Sequence, residues 1–409
     1  MKTRFLTRFG GLAFLLVALS LVAFKTSDDL FRLGSGSAGN KRIIFDIGGN
    51  NPEIRWNSSA SALQFSNDGS SYASVASGDA VSGANLLINS DFRVAQQGTS
   101  FTSATTPANS DDTYLFDQWV LLSDGNDIVD VTRSTIAPTG AVYSMKLDVE
   151  TANKKAGVIQ FLEQAAGVGT YGGTVSLSFQ ARKGASNTTV DTLRAAVLSW
   201  DGTADTVTSD VVSAWGAEGT NPTLVSNWTY ENTATNLTLT NSFQTFTVQN
   251  ISVDTASVKN LAVFIWIDNA DGTVTDEVYI SNVKLEIGAT ATQYIPKAIA
   301  QEFVDCERFF QTSYDNTAPG TVTTLGSYTF RASGANADVP VQLRPMRIAP
   351  AVTLYNPSSG ATGSWRDSSA SADVTFTANH IGTRAFEATS TGTTDGRAIQ
   401  GHWTANARL

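Results

Sequence analysis

A single cysteine, Cys306, stands in 409 residues, so no disulfide can form within the chain and no cysteine-based zinc site can be assembled. Stability has to come from burial or from association. Histidine is almost as scarce. His380 and His402 are the only two, and a histidine base or a two-histidine metal site would have to use them. His380 follows an apparent strand and precedes Gly382, which fits an incidental surface histidine. Basic residues are also thin: 27 Lys and Arg face 37 Asp and Glu, for a formal net charge of -10. After the first few residues they form no cluster. A nucleic-acid groove needs a basic stripe, so nucleic acid is not an expected partner, while neutral glycans, proteins and cations stay open.

Long apolar runs are absent with one exception. Lys2, Arg4 and Arg8 precede an uncharged run from Gly10 to Phe24, and Lys25, Asp28 and Asp29 return the chain to water. Basic flank, apolar centre and polar exit make residues 1–27 an export segment. The run is short for a spanning helix, which wants about 20 residues, and cleavage after Ala18-Leu19-Ser20 would leave Leu21 to Phe24 exposed. A cleaved signal and an uncleaved membrane anchor both remain open.

Charged residues are only 16% of the chain, and Ser, Thr, Asn and Gly crowd the spaces between apolar runs. That is the texture of short strands and tight turns, an all-β class. In residues 28–83 the strands are very small: Lys41 to Ile47, Glu53 to Trp56, and Leu63 to Phe65. Three strands of this size bury too little to fold alone, which points to intertwining with other copies. Residues 84–294 carry many alternating strands, among them Val175 to Gln180, Leu193 to Trp200, Leu261 to Asp268 and Val278 to Ile287. Their number and punctuation suggest a jelly-roll β-sandwich. Residues 295–318 hold the one convincing helix after the N-terminus, expected over Pro296 to Thr312. Ile299, Phe303, Cys306 and Phe310 are spaced 4, 3 and 4 residues apart on it. Such spacing is the seam of a short coiled coil, a self-associating collar, or equally a face packed on the chain's own sandwich. Residues 319–409 alternate again and form a C-terminal β-sandwich tip, with Pro340, Pro345, Pro350 and Pro357 marking edges or loops.

Catalytic patterns are missing. The GxGxxG strings Gly34–Gly39 and Gly167–Gly172 run into apparent strands, where a dinucleotide site needs a helix, so they read as turn glycines. No GxSxG elbow occurs. Asp111, Asp112, Asp124, Asp127, Asp201, Asp205, Asp268 and Asp271 stand beside Gly and Asn and read first as turn formers. Asp268–Gly272 fails an EF-hand loop because Ala270 fills a ligand position. No enzyme is expected, and a polysaccharide depolymerase is the weaker alternative.

Aromatics are the better candidates, because sugar rings stack on Trp and Tyr. Alternation sets Val263, Ile265 and Ile267 on one face and Phe264, Trp266 and Asp268 on the other; it likewise parts Leu193, Ala195 and Val197 from Arg194, Ala196, Leu198 and Trp200. If the first sets line the core, Arg194, Trp200 and Trp266 lie on a second face open to sugar, or else covered by a second layer. Trp215 and Trp228 fall in long polar loops where exposure is easier. In the tip, Tyr355, Trp365, His402 and Trp403 flank loops and complete the candidate glycan contacts.

Several stretches resemble one family. NKRIIFDIGGNNPEIRWNSSASALQFSNDGSSY, from Asn40 to Tyr72, resembles the short β-module near the stalks of bacteriophage tail-fibre proteins and of phage-derived bacterial fibres. NLLINSDF at Asn85, YLFDQW at Tyr114, SLSFQARKG at Ser176 and VYISNVKLEIGATAT at Val278 resemble the carbohydrate-binding jelly-roll of phage tail proteins. The Cys306, Arg308, Phe309, Phe310 core of the helix, VPVQLRPMRIAPAVTLY and HWTANARL resemble the collar and distal tip of tail fibres. The resemblance implies a homotrimeric fibre: stalk, jelly-roll, helical collar and glycan-reading tip. It also implies that Trp119, in its Asp-x-Trp setting, packs rather than binds. Similar modules hold a structural calcium with acids, but the corresponding positions here are Arg93 and Asn282, so no cofactor is expected. An export segment suits a fibre displayed on a cell envelope, including a predatory bacterium's, better than a virion fibre. The alternative is a structural tail-fibre subunit without its own receptor site.

Overall fold

The computed structural model describes residues 83–255 and 257–409, and before them the stretches 24–25, 30–31, 41–44, 52–57, 62–67, 70 and 72–74. The chain divides into two compact units, Met1–Ser82 and Gly83–Leu409.

In the first unit the strands Lys41–Ile44, Glu53–Asn57, Ala62–Ser66 and Ala73–Ser74 form an antiparallel sheet in that order. Its register sets Ile43 against Ile54, Ile54 against Phe65, and Trp56 against Leu63. Alternation places these five apolar side chains on one face, and each is exposed. The opposite face is polar and largely buried: Glu53, Gln64 and Ser66 lie there, Arg55 Nε donates to Gln64 at 3.0 Å, and the Arg55 guanidinium covers the Tyr72 ring. An apolar face turned to water is the reverse of a self-sufficient sheet. Most of the export segment and residues 45–47 of the first expected strand lie outside the described residues. Among those described, no helix is long and apolar enough to cross a membrane.

The second unit starts with a jelly-roll-like sandwich. One sheet has six strands in the order Gln244–Ser252, Thr174–Lys183, Glu277–Ile287, Ser144–Val149, Val129–Ser134 and Ser100–Phe101. The other follows the order Trp228–Tyr230, Thr192–Trp200, Asn260–Ile267, Ala156–Leu162, Trp119–Ser123 and Thr113–Tyr114, with Leu237–Thr238 paired beside Thr192–Trp200. Pairing is antiparallel throughout. Alternation explains the core between the sheets. Val175, Leu177 and Phe179 point inward from one sheet and Leu193, Ala195, Val263 and Ile265 from the other, all buried. Trp119 is enclosed there too, against Phe92 with ring centroids 5.7 Å apart, its Nε1 donating to the Asn89 carbonyl.

The helix runs over Ile299–Glu307, shorter than the spacing predicts. Phe310 is not on it. The chain turns after Arg308 into the strand Phe310–Thr312, which pairs with the final strand Ala398–Asn406. That ladder satisfies the backbone that a longer helix would have used. Cys306 faces inward and is fully buried, while Ile299 and Phe303 are exposed at 51% and 39%. The expected seam is therefore split: two residues on the helix surface, one inside and one in a sheet. Burial pushes the Cys306 thiol up, as do the nearby Asp117 and Glu302 charges.

In the tip, Phe310–Thr312, Ala398–Asn406, Ser364–Asp367 and Ala372–Thr375 form one sheet in that order, and Tyr328–Arg331 and Ala351–Tyr355 also pair with Ala398–Asn406. A three-stranded sheet, Ala337–Gln342, Ala385–Ser390 and Thr377–Asn379, packs against it through Val339, Val341 and Phe386. The tip is fastened to the sandwich. Arg408 lies between the Tyr114 and Phe310 rings at 4.8 and 4.2 Å, and Tyr114 Oη donates to the Leu409 carbonyl at 2.9 Å.

Candidate functional site

The two outer faces of the sandwich differ in kind. On the seven-stranded sheet the outward side chains are Leu122, Ile159, Leu198, Trp200, Phe264 and Trp266, and all are buried. Residues 201–236 pass over them, packing Val211, Trp215, Val225 and Ala234 on this face beside Trp228 of the sheet's own edge strand. Trp266 stacks on Phe264 at 4.7 Å, and Trp200 meets Trp228 at 5.2 Å. The paired strand carries no side chain at this point: a Cβ on Gly157 would stand 2.6 Å from the Trp266 Cβ and 2.8 Å from the Phe264 ring. Polar anchors hold the roof. Asp268 Oδ2 accepts from the Gly219 amide at 2.9 Å, its other oxygen faces Lys155 Nζ at 3.5 Å and Arg194 Nη1 at 3.9 Å, and Arg194 donates to the Ala234 carbonyl. Burial lowers the Lys155 pKa against the pull of Asp268.

This corrects the expectation for Arg194, Trp200 and Trp266. Alternation placed them on the right face, but the face is covered by the chain's own 201–236 segment and no ring offers itself to a sugar. Trp228, read as lying in a polar loop where exposure is easier, is on a strand and 5% exposed. Asp268, read as a turn former, is a fully buried anchor.

The tip candidates are interior as well. Trp365 is fully buried, stacks on Phe376 at 4.6 Å and donates from Nε1 to the His402 carbonyl. Gly401 lies under its ring, where a Cβ would come within 2.1 Å. His402 is fully buried and stacks on Tyr314 at 4.0 Å; its Nδ1 bonds the Ser313 hydroxyl and its Nε2 the Thr323 carbonyl, each at 3.0 Å. Burial lowers its pKa, so it is a neutral core residue. Trp403 packs edge-on to Phe386 at 5.6 Å. Tyr355 alone is half-buried, its ring edge-on to Tyr314.

The six-stranded sheet keeps its outer face open. Over its edge strands lies a groove of about 490 Å³. The floor is two cross-strand rows, Thr245 beside Gln180 and Thr247 beside Ser178, completed by Asn282. Asn282 occupies a β-bulge: the register of Glu277–Ile287 against Thr174–Lys183 shifts opposite Phe179, and Asn282 takes φ +52°. Asn tolerates that left-handed conformation better than most residues. Its Nδ2 donates to Gln180 Oε1 at 2.6 Å, while its buried Oδ1 has no partner among the described residues. Such an orphan carries a cost of about 1–3 kcal/mol.

One wall is Thr139 and Gly140; the other is the segment Ala291–Pro296, with the half-buried Tyr294. That second wall is clasped to the sheet by a buried ion pair. Lys284 Nζ lies 3.0 Å from Glu286 and donates to Thr292 Oγ1 and the Gln293 carbonyl, while Glu286 accepts from the Thr292 amide and hydroxyl at 2.6 and 2.7 Å. Burial, with Asp91 and Glu302 close by, pushes the Tyr294 phenol far up, so it stays a neutral donor. Among the described residues no charged side chain, histidine or cysteine lines the groove. Of the positions implied for calcium, Arg93 pairs with Asp91 at 2.6 Å and Asn282 is bound to Gln180. Sequence reasoning missed this groove, since its polar residues alternate in a strand like any solvated face; only the bulge at Asn282 sets them apart, and a bulge has no reliable signature.

No family model matches the chain, and no curated protein matches it. Among solved structures it is similar to the enzymatically active domain of tailspike protein 4 of bacteriophage CBA120, at 15% identity over 50% of this chain and 21% of that one, TM-score 0.29. It is similar to a family 61 carbohydrate-binding module in complex with beta-1,4-galactotriose, at 12% identity over 50% and 99%, TM-score 0.30. It is likewise similar to a putative sugar binding protein from Bacteroides thetaiotaomicron, at 14% identity over 50% and 100%, TM-score 0.30. With scores this low, function has to be argued from the chain's own geometry.

Proposed function

We propose that the chain is a non-catalytic, glycan-binding subunit of an exported, fibre-like adhesin, and that the groove over Gln180 takes an uncharged saccharide. The observation that carries this is the groove itself: a floor of hydroxyls and amides, one wall held by a buried ion pair, and a lining without charge. Hydroxyls of a neutral sugar match such donors and acceptors without desolvating an ion. A hydrolase would need an acid and a second carboxylate flanking the bond, and the groove offers neither.

In this reading three copies associate through the apolar face of Ile43, Ile54 and Phe65 and through the exposed Ile299 and Phe303, and the N-terminal segment exports or anchors the fibre at a cell envelope. A glycan array on residues 85–409 tests the binding: neutral oligosaccharides are retained, and retention is lost in Gln180→Ala. An array with no retained glycan removes the reading. For the assembly, light scattering of the full chain at micromolar concentration is expected to report a trimer, and a stable monomer would overturn that part alone.

A further inference from the structure

The tip holds a second cleft, of about 820 Å³, within the range of small-ligand sites. Its floor is the outer face of the three-stranded sheet, whose other face packs Val339, Val341 and Phe386 into the tip core. The register sets Asp338 opposite Thr389 and Thr389 opposite Thr377; two pairs further along, on the same face, Glu387 stands opposite Asn379. Asp338 and Glu387 are thus diagonal neighbours on one face, about 7 to 8 Å apart. Asp373 and Thr375, from the neighbouring strand, form a side of the cleft.

Its chemistry is the opposite of the sandwich groove's. Three carboxylates line it, with His380, two asparagines and several hydroxyls, but no Lys or Arg among the described residues. Asp373 is matched by Arg366 at 2.8 Å, and Glu387 is bonded to His380 Nδ1, also at 2.8 Å. Asp338 makes no ion pair or hydrogen bond among the described residues. The cleft therefore presents uncompensated negative charge among groups that bind hydroxyls. An anionic sugar is repelled, a neutral one leaves the charge unanswered, and a cation without hydroxyls leaves the threonines and asparagines unused.

We propose that this cleft is a second binding site, for a saccharide that carries a free ammonium group, with Asp338 and Glu387 receiving the ammonium and the threonine and asparagine side chains receiving the hydroxyls. The chain would then read two chemically distinct sugars, a neutral one on the sandwich and an amino sugar at the tip.

The test is calorimetric titration of the full chain with a β-1,4-linked glucosamine trimer, its N-acetylated form, a galacturonate trimer and spermidine. The glucosamine trimer is expected to bind, the N-acetylated trimer and spermidine at least about tenfold more weakly, and galacturonate not at all. Asp338→Asn and Glu387→Gln, both surface changes, should each weaken glucosamine binding roughly tenfold or more, while Gln180→Ala leaves it unchanged. Because Gln180 serves only the sandwich groove, failure of that site and failure of this one are separable. No binding of the glucosamine trimer, equal binding of the N-acetylated trimer or of spermidine, or indifference to both carboxylate changes would overturn the proposal.

Discussion

The sandwich has two outer faces built on the same alternation, and they met opposite fates. The seven-stranded face is aromatic and roofed by residues 201–236; the six-stranded face is polar and carries an open groove. The difference follows from what each face would cost in water. Trp200, Phe264 and Trp266 left bare along this face would expose an apolar patch of the kind folded chains cover. Gln180, Thr245 and Thr247 lose nothing by staying wet. The tryptophans therefore act as structure, and the proposed binding site lies on the face with none.

The largest effect that can break this contrast is Trp266→Ala. It should lower stability by about 3–5 kcal/mol, read as a shift in denaturant midpoint, while protein that still folds keeps its glycan affinity. Loss of affinity at unchanged stability would return Trp266 to the binding site. Next is Lys284→Met, which leaves Glu286, 1% exposed, without its cation. Breaking a buried pair this way costs about 3 kcal/mol or more. The double change with Glu286→Leu should recover most of that stability yet still weaken saccharide binding, because Thr292 loses both clasps. Full affinity in the double variant would mean the wall does not position the ligand.

The sequence made much of this visible, and its failures share a cause. The all-β class, the sandwich strands and the division of Val263 from Trp266 all follow from period-two alternation, a local property. What covers a face is not local. Nothing near Trp266 announces that a segment beginning at Asp201 will fold over it, or that Asp268 will anchor Gly219. The helix seam failed similarly: Phe310 keeps helical spacing with Cys306, but pairing with Asn406, 96 positions later, claims it for a sheet. At the groove, bulge geometry, not residue type, makes Asn282 distinctive.

Gln180→Ala is the sharper test of the open face, with a smaller effect. Gln180 is half-buried and its amide serves the groove, so stability should change by less than about 0.5 kcal/mol, while saccharide affinity falls roughly tenfold, about 1.4 kcal/mol. A large loss of stability would show the row is a packing element like its counterpart across the sandwich.

The smallest expected effect concerns how firmly the roof is held at its edge. Asp112 sits beside the strand Thr113–Tyr114 with its pKa raised to about 7, by burial first and then by Asp111 and Asp210, the last a roof residue. Between its ordinary 3.8 and about 7 the folded chain keeps a proton that the unfolded chain has released, so stability falls as pH rises through that window. Asp112→Asn removes the titration. At about pH 8 it should raise the melting temperature by roughly a degree or two, because Asp112 is only partly buried and water screens its charge. Well below pH 3.8, where Asp112 is protonated in the folded and the unfolded chain alike, the two chains should melt together. The groove lining does not titrate in this range, so saccharide affinity should be the same at both pH values in which the chain is folded. A melting gain that persists at low pH would show that the amide contributes a new hydrogen bond, and that charge repulsion with Asp210 does not limit how the roof is closed.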